Sequence, residues 1–378
     1  MSEVYITKIS AFLPGEPVTN DEIEDVLGYI GGKPSKARKI VLRNNGIKQR
    51  YYAINKKTKQ LDYSNAQLTA KAVSGVLSDK KIDVLSCGTS MPDQLMPGHA
   101  LMVQGELQLP PLETISVSGI CLSGTLALKY AYANIKADLA STAISTGSEV
   151  ASLVLSSKNF EAESEYKITE LESRPEIAFE KDFLRWMLSD GAGAMLLEKT
   201  PNDSGLSLKI EWIETKAYAG EMPICMYSGG VPNKKGGLDG WRTFDSIKDA
   251  AENSLFAVAQ DVKLLNENIV LYTVEKPLAE IIKAKNLKAE DIDWFLPHYS
   301  SEYFRDRMFE GMQKIGFAIP KEKWFTNLTY KGNTGSASIY IILEELFNSG
   351  RLKKGEKILC FIPESGRFST GYMLLEVV

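Results

Sequence analysis

The feature that most constrains this chain is that it writes one pattern twice. Lys81-Ile82-Asp83-Val84-Leu85 returns as Asp291-Ile292-Asp293-Trp294-Phe295, and Gly124 with its apolar helix returns as Gly335 with the apolar run 336–347. Gly193-Ala-Met-Leu-Leu-Glu198 returns as Gly371-Tyr-Met-Leu-Leu-Glu376. The first two pairs stand 210 and 211 residues apart and the third only 178, so the first half carries an insertion between Glu149 and Asp190. One short match could be chance. Three in the same order mark a duplicated unit.

Within that frame the pattern predicts strands over 4–9, 84–88, 113–117, 142–149 and 192–198, with helices over 64–77, 100–107 and 122–136. Thr19-Asn20-Asp21-Glu22 caps a short helix that ends at Leu27. Strands alternating with helices imply α/β architecture with parallel sheet character. The segments 122–136 and 336–347 are apolar nearly all round, which places both helices in the interior. The expectation is an internally duplicated α/β fold with halves 1–200 and 201–378, each aiming a buried helix N-terminus at a shared centre.

Superposing the copies sets Cys121 opposite Gly332, next to Asn333. Cys121 follows a β-prone run and small residues and stands at the start of a helix. There unpaired N–H groups and the positive end of the dipole favour a thiolate. Cys87, Cys225 and Cys360 read as ordinary buried thiols. The chain has two histidines. His298 lies just past a strand in Phe295-Leu296-Pro297-His298, where α/β sheets place their ligands; His99, beside Pro97-Gly98, is given no catalytic role. Asn333 sits in the small-residue turn Lys331-Gly-Asn-Thr-Gly-Ser-Ala-Ser338 that opens the second buried helix. In the turn Pro363-Glu364-Ser365-Gly366-Arg367-Phe368, Gly366 lets a backbone N–H approach a ligand. Taken singly, the histidine reads as a satisfied core residue and the asparagine as a helix cap; on one repeat axis they read as a site.

Four unclustered cysteines with no C-x-x-C pair point to reduced thiols, not to disulfides or zinc. No cofactor or metal is expected. The N-terminus lacks a signal-peptide pattern, no apolar run reaches membrane-span length, and the expected location is cytoplasmic. A net charge of −4 argues against nucleic acid as a partner. Against that acidic background the segment 31–50 carries Lys33, Lys36, Arg38, Lys39, Arg43, Lys48 and Arg50 and no acidic residue. It reads as a solvated basic face or as a surface for an acidic partner.

Cys121 in its helix-start context, Pro297-His298 and the turn 331–338 together resemble the Cys-His-Asn set of ketosynthase III-type condensing enzymes of the thiolase superfamily. Ser189-Asp190-Gly191-Ala192-Gly193-Ala194 and Asn45-Gly46-Ile47-Lys48-Gln49-Arg50 match that family's fold signatures. The basic segment and Phe183-Leu-Arg-Trp-Met-Leu-Ser-Asp-Gly-Ala-Gly-Ala194 make the chain similar to the DarB-type ketosynthases of dialkylresorcinol and flexirubin-type pathways. The resemblance implies a thiolase fold, five-layered α-β-α-β-α, with two buried central helices. It implies that Cys121 is acylated, that the N–H groups of Cys121 and Gly366 form an oxyanion hole, and that His298 with Asn333 stabilises an enolate. A Claisen-type condensation with a malonyl or β-ketoacyl thioester would follow.

It implies a homodimer, paired through 114–118. Acyl-CoA-primed members carry a Trp where this chain has Ile40 and an Arg where it has Asn44. Their absence favours an acyl carrier protein as donor, docking on Lys33, Lys36, Arg38, Lys39 and Arg43. Three alternatives stand beside this reading: acyl transfer from Cys121 to a hydroxyl or amine, a papain-like Cys-His-Asn peptidase, and a non-catalytic carrier-binding subunit. The duplicated core argues against the second, and the presence of all three polar residues against the third.

Overall fold

The computed structural model describes residues 2–35, 38–160, 184–252 and 255–378. Its centre is a sheet of nine strands: β1 Tyr5–Phe12, β2 Val84–Thr89, β3 Glu113–Ser118, β4 Thr142–Glu149, β5 Gly191–Glu198, β6 Leu208–Ala217, β7 Trp294–Pro297, β8 Lys357–Glu364 and β9 Ser369–Val377. Their order is β7-β8-β9-β6-β1-β5-β4-β2-β3. Read outward from the middle, β1-β5-β4-β2 on one side answers β6-β9-β8-β7 on the other. The pairing sense repeats as well, antiparallel twice and then parallel. The first copy adds β3 in parallel to β2; the second has no counterpart to it among the described residues. The copies join edge to edge through β1 and β6 over only two residue pairs, Tyr5 with Lys209 and Ile6 with Leu208.

Three apolar clusters separate the layers. Between the two half-sheets lie the helices Ser123–Lys136 and Ser338–Asn348, with Leu128, Ala131, Ile135, Ile339, Leu343 and Leu346 against Ile6, Met195, Ile358 and Met373. The outer face of the first half-sheet is covered by helices Asn65–Ser74 and His99–Leu107 through Leu68, Val73 and Val103. The outer face of the second is covered by Leu265, Val274, Met308 and Met312 against Phe295, Leu359 and Phe361. That is the expected five-layered arrangement. The strands β2, β4 and β5 are buried along their whole length because helices lie on both faces.

The two central helices approach the sheet closely because Gly88, Gly147 and Gly193 lie side by side on β2, β4 and β5. A Cβ on Gly147 would stand 2.3 Å from the Ser336 carbonyl oxygen, and one on Gly124 would meet the same oxygen at 2.3 Å. Polar side chains lock the crossing: Ser336 Oγ donates to the Ser148 carbonyl at 2.8 Å, and Tyr340 Oη donates to the Gly124 carbonyl at 2.8 Å while sharing a 2.7 Å bond with Ser145. The N-terminal ends of both helices are thereby held against each other.

Candidate active site

The nucleophile turn hangs from β3. Ser118 ends that strand, and helix Ser123–Lys136 begins two residues beyond Cys121. The N–H groups of Ile120 and Leu122 donate to Glu364 Oε2 at 3.0 and 3.1 Å. Ser123 donates its N–H and its hydroxyl to the Ile120 carbonyl at 3.1 and 2.6 Å. Between them the Cys121 N–H has no acceptor in another described residue, and neither has the Gly366 N–H. Gly366 is adjacent, since a Cβ there would lie 2.9 Å from Ile120 Cδ1. Unpaired backbone donors are rare in protein interiors. Two beside one thiol can receive a developing oxyanion.

His298 follows β7. Its N–H donates to the Phe361 carbonyl at 2.8 Å, which carries the β7–β8 ladder one residue past the strand. Burial holds the imidazole down at about 4, so at neutral pH it is uncharged and donates from one ring nitrogen. Asn333 is fixed on three sides. Its N–H donates to the Met187 carbonyl at 3.0 Å, its carbonyl accepts from Ser189 N–H at 2.8 Å, and its Oδ1 accepts from Gly335 N–H at 3.0 Å. With Oδ1 engaged, Nδ2 is the end left for a ligand. Gly332 before it has φ +71°, and a Cβ there would press on Ser189 and Arg50 at 2.8 and 3.0 Å, so the turn requires glycine.

Cys121, His298 and Asn333 line one cavity of about 740 Å³, together with Glu149, Glu364 and Gly366. Cys121 thus shares one space with His298, Asn333 and Glu364, which lie 177, 212 and 243 positions away in sequence. The rest of its wall is largely apolar, with Leu184, Met187, Leu265, Val274, Phe304 and Met308. The segment 227–244, whose role was open from sequence, forms a hairpin of Gly230–Pro232 with Leu238–Gly240 and contributes Tyr227, Leu238 and Trp241 to that wall. Of the excursion 156–188, residues 161–183 lie outside the described residues; Leu184, Met187 and Leu188 at its end line the cavity.

One sequence expectation is corrected. Burial and the neighbouring carboxyls of Glu364 and Glu149 push the Cys121 thiol up, against the helix N-terminus that favours the thiolate. Burial is the larger cause, and the two carboxyls brought in from distant segments add to it. Glu149 itself is pushed up to about 7 by burial, although Ser90 and Ser336 both donate to it. Iodoacetamide should still label Cys121 first, now because of access: it opens on the cavity while Cys87, Cys225 and Cys360 are fully buried. Equal labelling by peptide mass mapping would contradict this. His99 lies outside the cavity wall, its Nε2 shared between Thr69 and Ser148 at 3.2 Å each.

The basic segment is only partly a free surface. Lys36 lies outside the described residues. Arg50 is buried, donating to Asn20 Oδ1 and the Trp186 carbonyl at 2.6 and 2.7 Å, and Arg38 pairs with Asp21 at 2.6 Å. Lys33, Lys39 and Arg43 are exposed. Helix Arg38–Asn45 abuts the loop after His298, since Glu302 N–H donates to the Asn45 carbonyl at 3.0 Å. Ile40 is half exposed and Asn44 exposed on that helix.

Residues 282–374, which hold His298, Asn333 and Gly366, match the family described as the 3-oxoacyl-(acyl-carrier-protein) synthase III C terminal. Over 360 residues, 95% of either chain, the sequence is 27% identical to a beta-ketoacyl-(acyl-carrier-protein) synthase III of Clostridium perfringens. Over nearly its whole length the chain is similar to ketosynthase III-type condensing enzymes. Its thiolase fold is shared with AbyA1, a tetronic acid condensing enzyme, at 19% identity, 99% coverage of both chains and a TM-score of 0.76. It is shared equally with OleA of Xanthomonas campestris, solved with bound lauric acid and lauroyl-CoA, at 20% identity, 99% coverage of both chains and a TM-score of 0.74. Among the described residues no helix is long and apolar enough to cross a membrane.

Proposed function

We propose that this ketosynthase loads an acyl group onto Cys121 from an acyl carrier protein and condenses it with a malonyl or β-ketoacyl thioester. The setting proposed is dialkylresorcinol- or aryl-polyene-type lipid or polyketide biosynthesis in the cytoplasm. The observation that carries the reading is the single cavity in which a thiol, a neutral imidazole, a fixed amide and two unpaired N–H groups face apolar walls. Cys121 Sγ attacks the donor thioester, and the N–H groups of Cys121 and Gly366 hold the tetrahedral oxyanion. His298 and Asn333 Nδ2 then hold the carbonyl oxygen of the second thioester as it becomes an enolate, whose carbon attacks the acyl group on Cys121. The halves 1–200 and 201–378 supply the nucleophile and the enolate pair respectively. Support for the pigment-type setting is the segment 183–194, whose Met187 carbonyl anchors Asn333.

The experiment is incubation with a panel of acyl and β-ketoacyl carrier thioesters, reading Cys121 acylation by intact mass and products by mass spectrometry. A carbon–carbon-linked product is expected. Acyl transfer to a hydroxyl or amine is the second reading, favoured by the Glu364 carboxylate beside the thiol. An ester or amide product with no condensed chain would establish it instead.

The carrier is proposed to dock on the exposed charges Lys33, Lys39 and Arg43, with Lys36 and Arg38 of the same segment. Carrier proteins are acidic, so steering should raise the on-rate and fade with salt. Lys39→Glu with Arg43→Glu should slow loading from carrier-bound acyl groups about tenfold at low salt. Loading from a short acyl-pantetheine should be spared; equal loss on both donors would make the segment structural.

A homodimer is proposed through β3, which is the outermost strand and has one edge unpaired among the described residues. Leu95, Met96 and Leu101 are exposed close by, where the Ala100 N–H donates to Ser116 of β3. An open edge flanked by apolar side chains invites pairing. Light scattering at micromolar concentration should give twice the chain mass, and a monomer would refute it.

A further inference from the structure

We propose that Glu364 is the proton acceptor and donor of acyl transfer at Cys121, a fourth catalytic residue of this site. The proposal rests on the reading above, in which Cys121 carries the acyl group. Glu364 closes β8 and enters the turn 363–368. Its Oε2 accepts the N–H groups of both residues that flank the cysteine, so the carboxylate is tied to the segment that carries the thiol. Its Oε1 accepts no hydrogen bond from a described residue, and the side chain forms part of the cavity wall.

The other titratable and charged groups on that wall are Glu149, Tyr227, His298, Tyr299 and Arg367. Glu149 is the one competing base: its Oε1 is taken by the N–H and hydroxyl of Ser90 and by Ser336 N–H and its Oε2 accepts no hydrogen bond from a described residue, but it packs behind Gly335 and is not bonded to the segment that carries the thiol. His298 is kept uncharged by burial and holds a proton weakly. The phenol of Tyr299 already donates to Glu302 at 3.1 Å, and phenols and guanidinium are not bases at neutral pH. Arg367 donates Nε and Nη2 to the Met222 carbonyl at 3.1 and 3.0 Å.

Charge conservation gives the reason for a base here. A free thiolate at Cys121 would set a second negative charge beside Glu364 in a poorly solvated space. Passing the proton from sulfur to carboxylate keeps the pair at one negative charge throughout. As Cys121 Sγ bonds to the thioester carbon, its proton moves to Glu364, and the carbonyl electron pair moves onto the oxygen facing Cys121 N–H and Gly366 N–H. Collapse of that adduct breaks the donor's carbon–sulfur bond. The departing thiolate takes the proton from Glu364, which ends as the carboxylate it began as.

E364Q keeps a carbonyl oxygen for the N–H groups of Ile120 and Leu122 but takes no proton. Loading of Cys121 from an acyl-pantetheine thioester, timed by intact mass at pH 7, should fall about 10²- to 10⁴-fold, the span that general acid–base catalysis supplies. Wild-type loading should level off once the carboxyl has ionised. In E364Q it should keep rising about tenfold per pH unit with the free thiolate. E364A should regain loading when formate is added, because formate can occupy the vacated space. A folded E364Q that loads at the wild-type rate with the wild-type profile would reduce Glu364 to a cap on the helix and overturn the proposal. Should E364Q melt below the assay temperature, formate-independent loading by E364A overturns it equally. Wild-type protein that never acylates Cys121 would instead overturn the reading beneath.

Discussion

His298→Ala and Asn333→Ala should each accept an acyl group on Cys121 and then fail to condense it. Removing one donor to a developing oxyanion lowers turnover by about 10²–10³-fold, and the two donors share one enolate, so the double variant should lose little beyond the worse single variant. Loading should stay within a few-fold of wild type, because the oxyanion hole proposed for it, the N–H groups of Cys121 and Gly366, is untouched by either substitution. Rapid-quench loading and product mass spectrometry on the same preparations separate the two steps. A variant that no longer loads would show that the roles are misassigned.

The pH dependence gives a second check. Burial holds His298 at about 4, below the ordinary histidine range, so the imidazole stays neutral down to that pH. Condensation should therefore lose its histidine-dependent limb near pH 4 and not near 6.5. The same shift acts on stability. Between the unfolded value of about 6.5 and about 4 the unfolded chain binds the extra proton, so stability falls as pH drops through that window. His99, also held at about 4 by burial, adds to the loss in the same direction.

How much of this was legible beforehand depends on whether the signal is local. Strand and helix limits were, because apolar periodicity and the Ser64 cap act within a few residues: helix Asn65–Ser74 carries a complete capping box with Gln67. That Cys121 and Asn333 share a cavity was legible through the repeat, which superposes Cys121 on the segment of Asn333. Glu364 was not. Its turn reads as a place for the Gly366 N–H alone, and the significance of the carboxylate depends on hydrogen bonds to residues 242 and 244 positions away. The thiol's shift is opposite to the helix-terminus argument chiefly because the turn is buried by distant segments, with the Glu364 and Glu149 carboxyls adding to it. Arg50 reads as one more surface charge in a basic run, yet it is buried with Asn20 and Trp186 as partners.

The glycine row at the helix crossing should be the least tolerant part of the chain, and its members should fail in different ways. Gly147→Val should destabilise the protein by more than about 4 kcal/mol, the range reserved for severe overpacking of a rigid core. The added atoms would have to displace the Ser336 backbone, whose carbonyl oxygen lies 2.3 Å from the Cβ position, and the Tyr340 ring at 3.0 Å. Neither can give, since Ser336 Oγ and Tyr340 Oη are both bonded into the opposing helix and sheet. Gly105→Ala is the control. Gly105 is exposed within helix His99–Leu107 with nothing within 4 Å of its Cβ position, so alanine should raise stability by about 0.5–1 kcal/mol.

The alanine variants carry the functional argument. A Cβ on Gly147 presses on Ser336, three residues from Asn333, whereas one on Gly88 presses on Ser123 and Gly124, two and three residues from Cys121, at 2.4 and 2.7 Å. Gly147→Ala should thus impair condensation more than loading, and Gly88→Ala should impair loading first. Thermal melting and the two half-reactions on each variant test this together. Identical losses in both half-reactions for both variants would mean that the two helix ends move as one body, and that the division of labour between the halves is wrong.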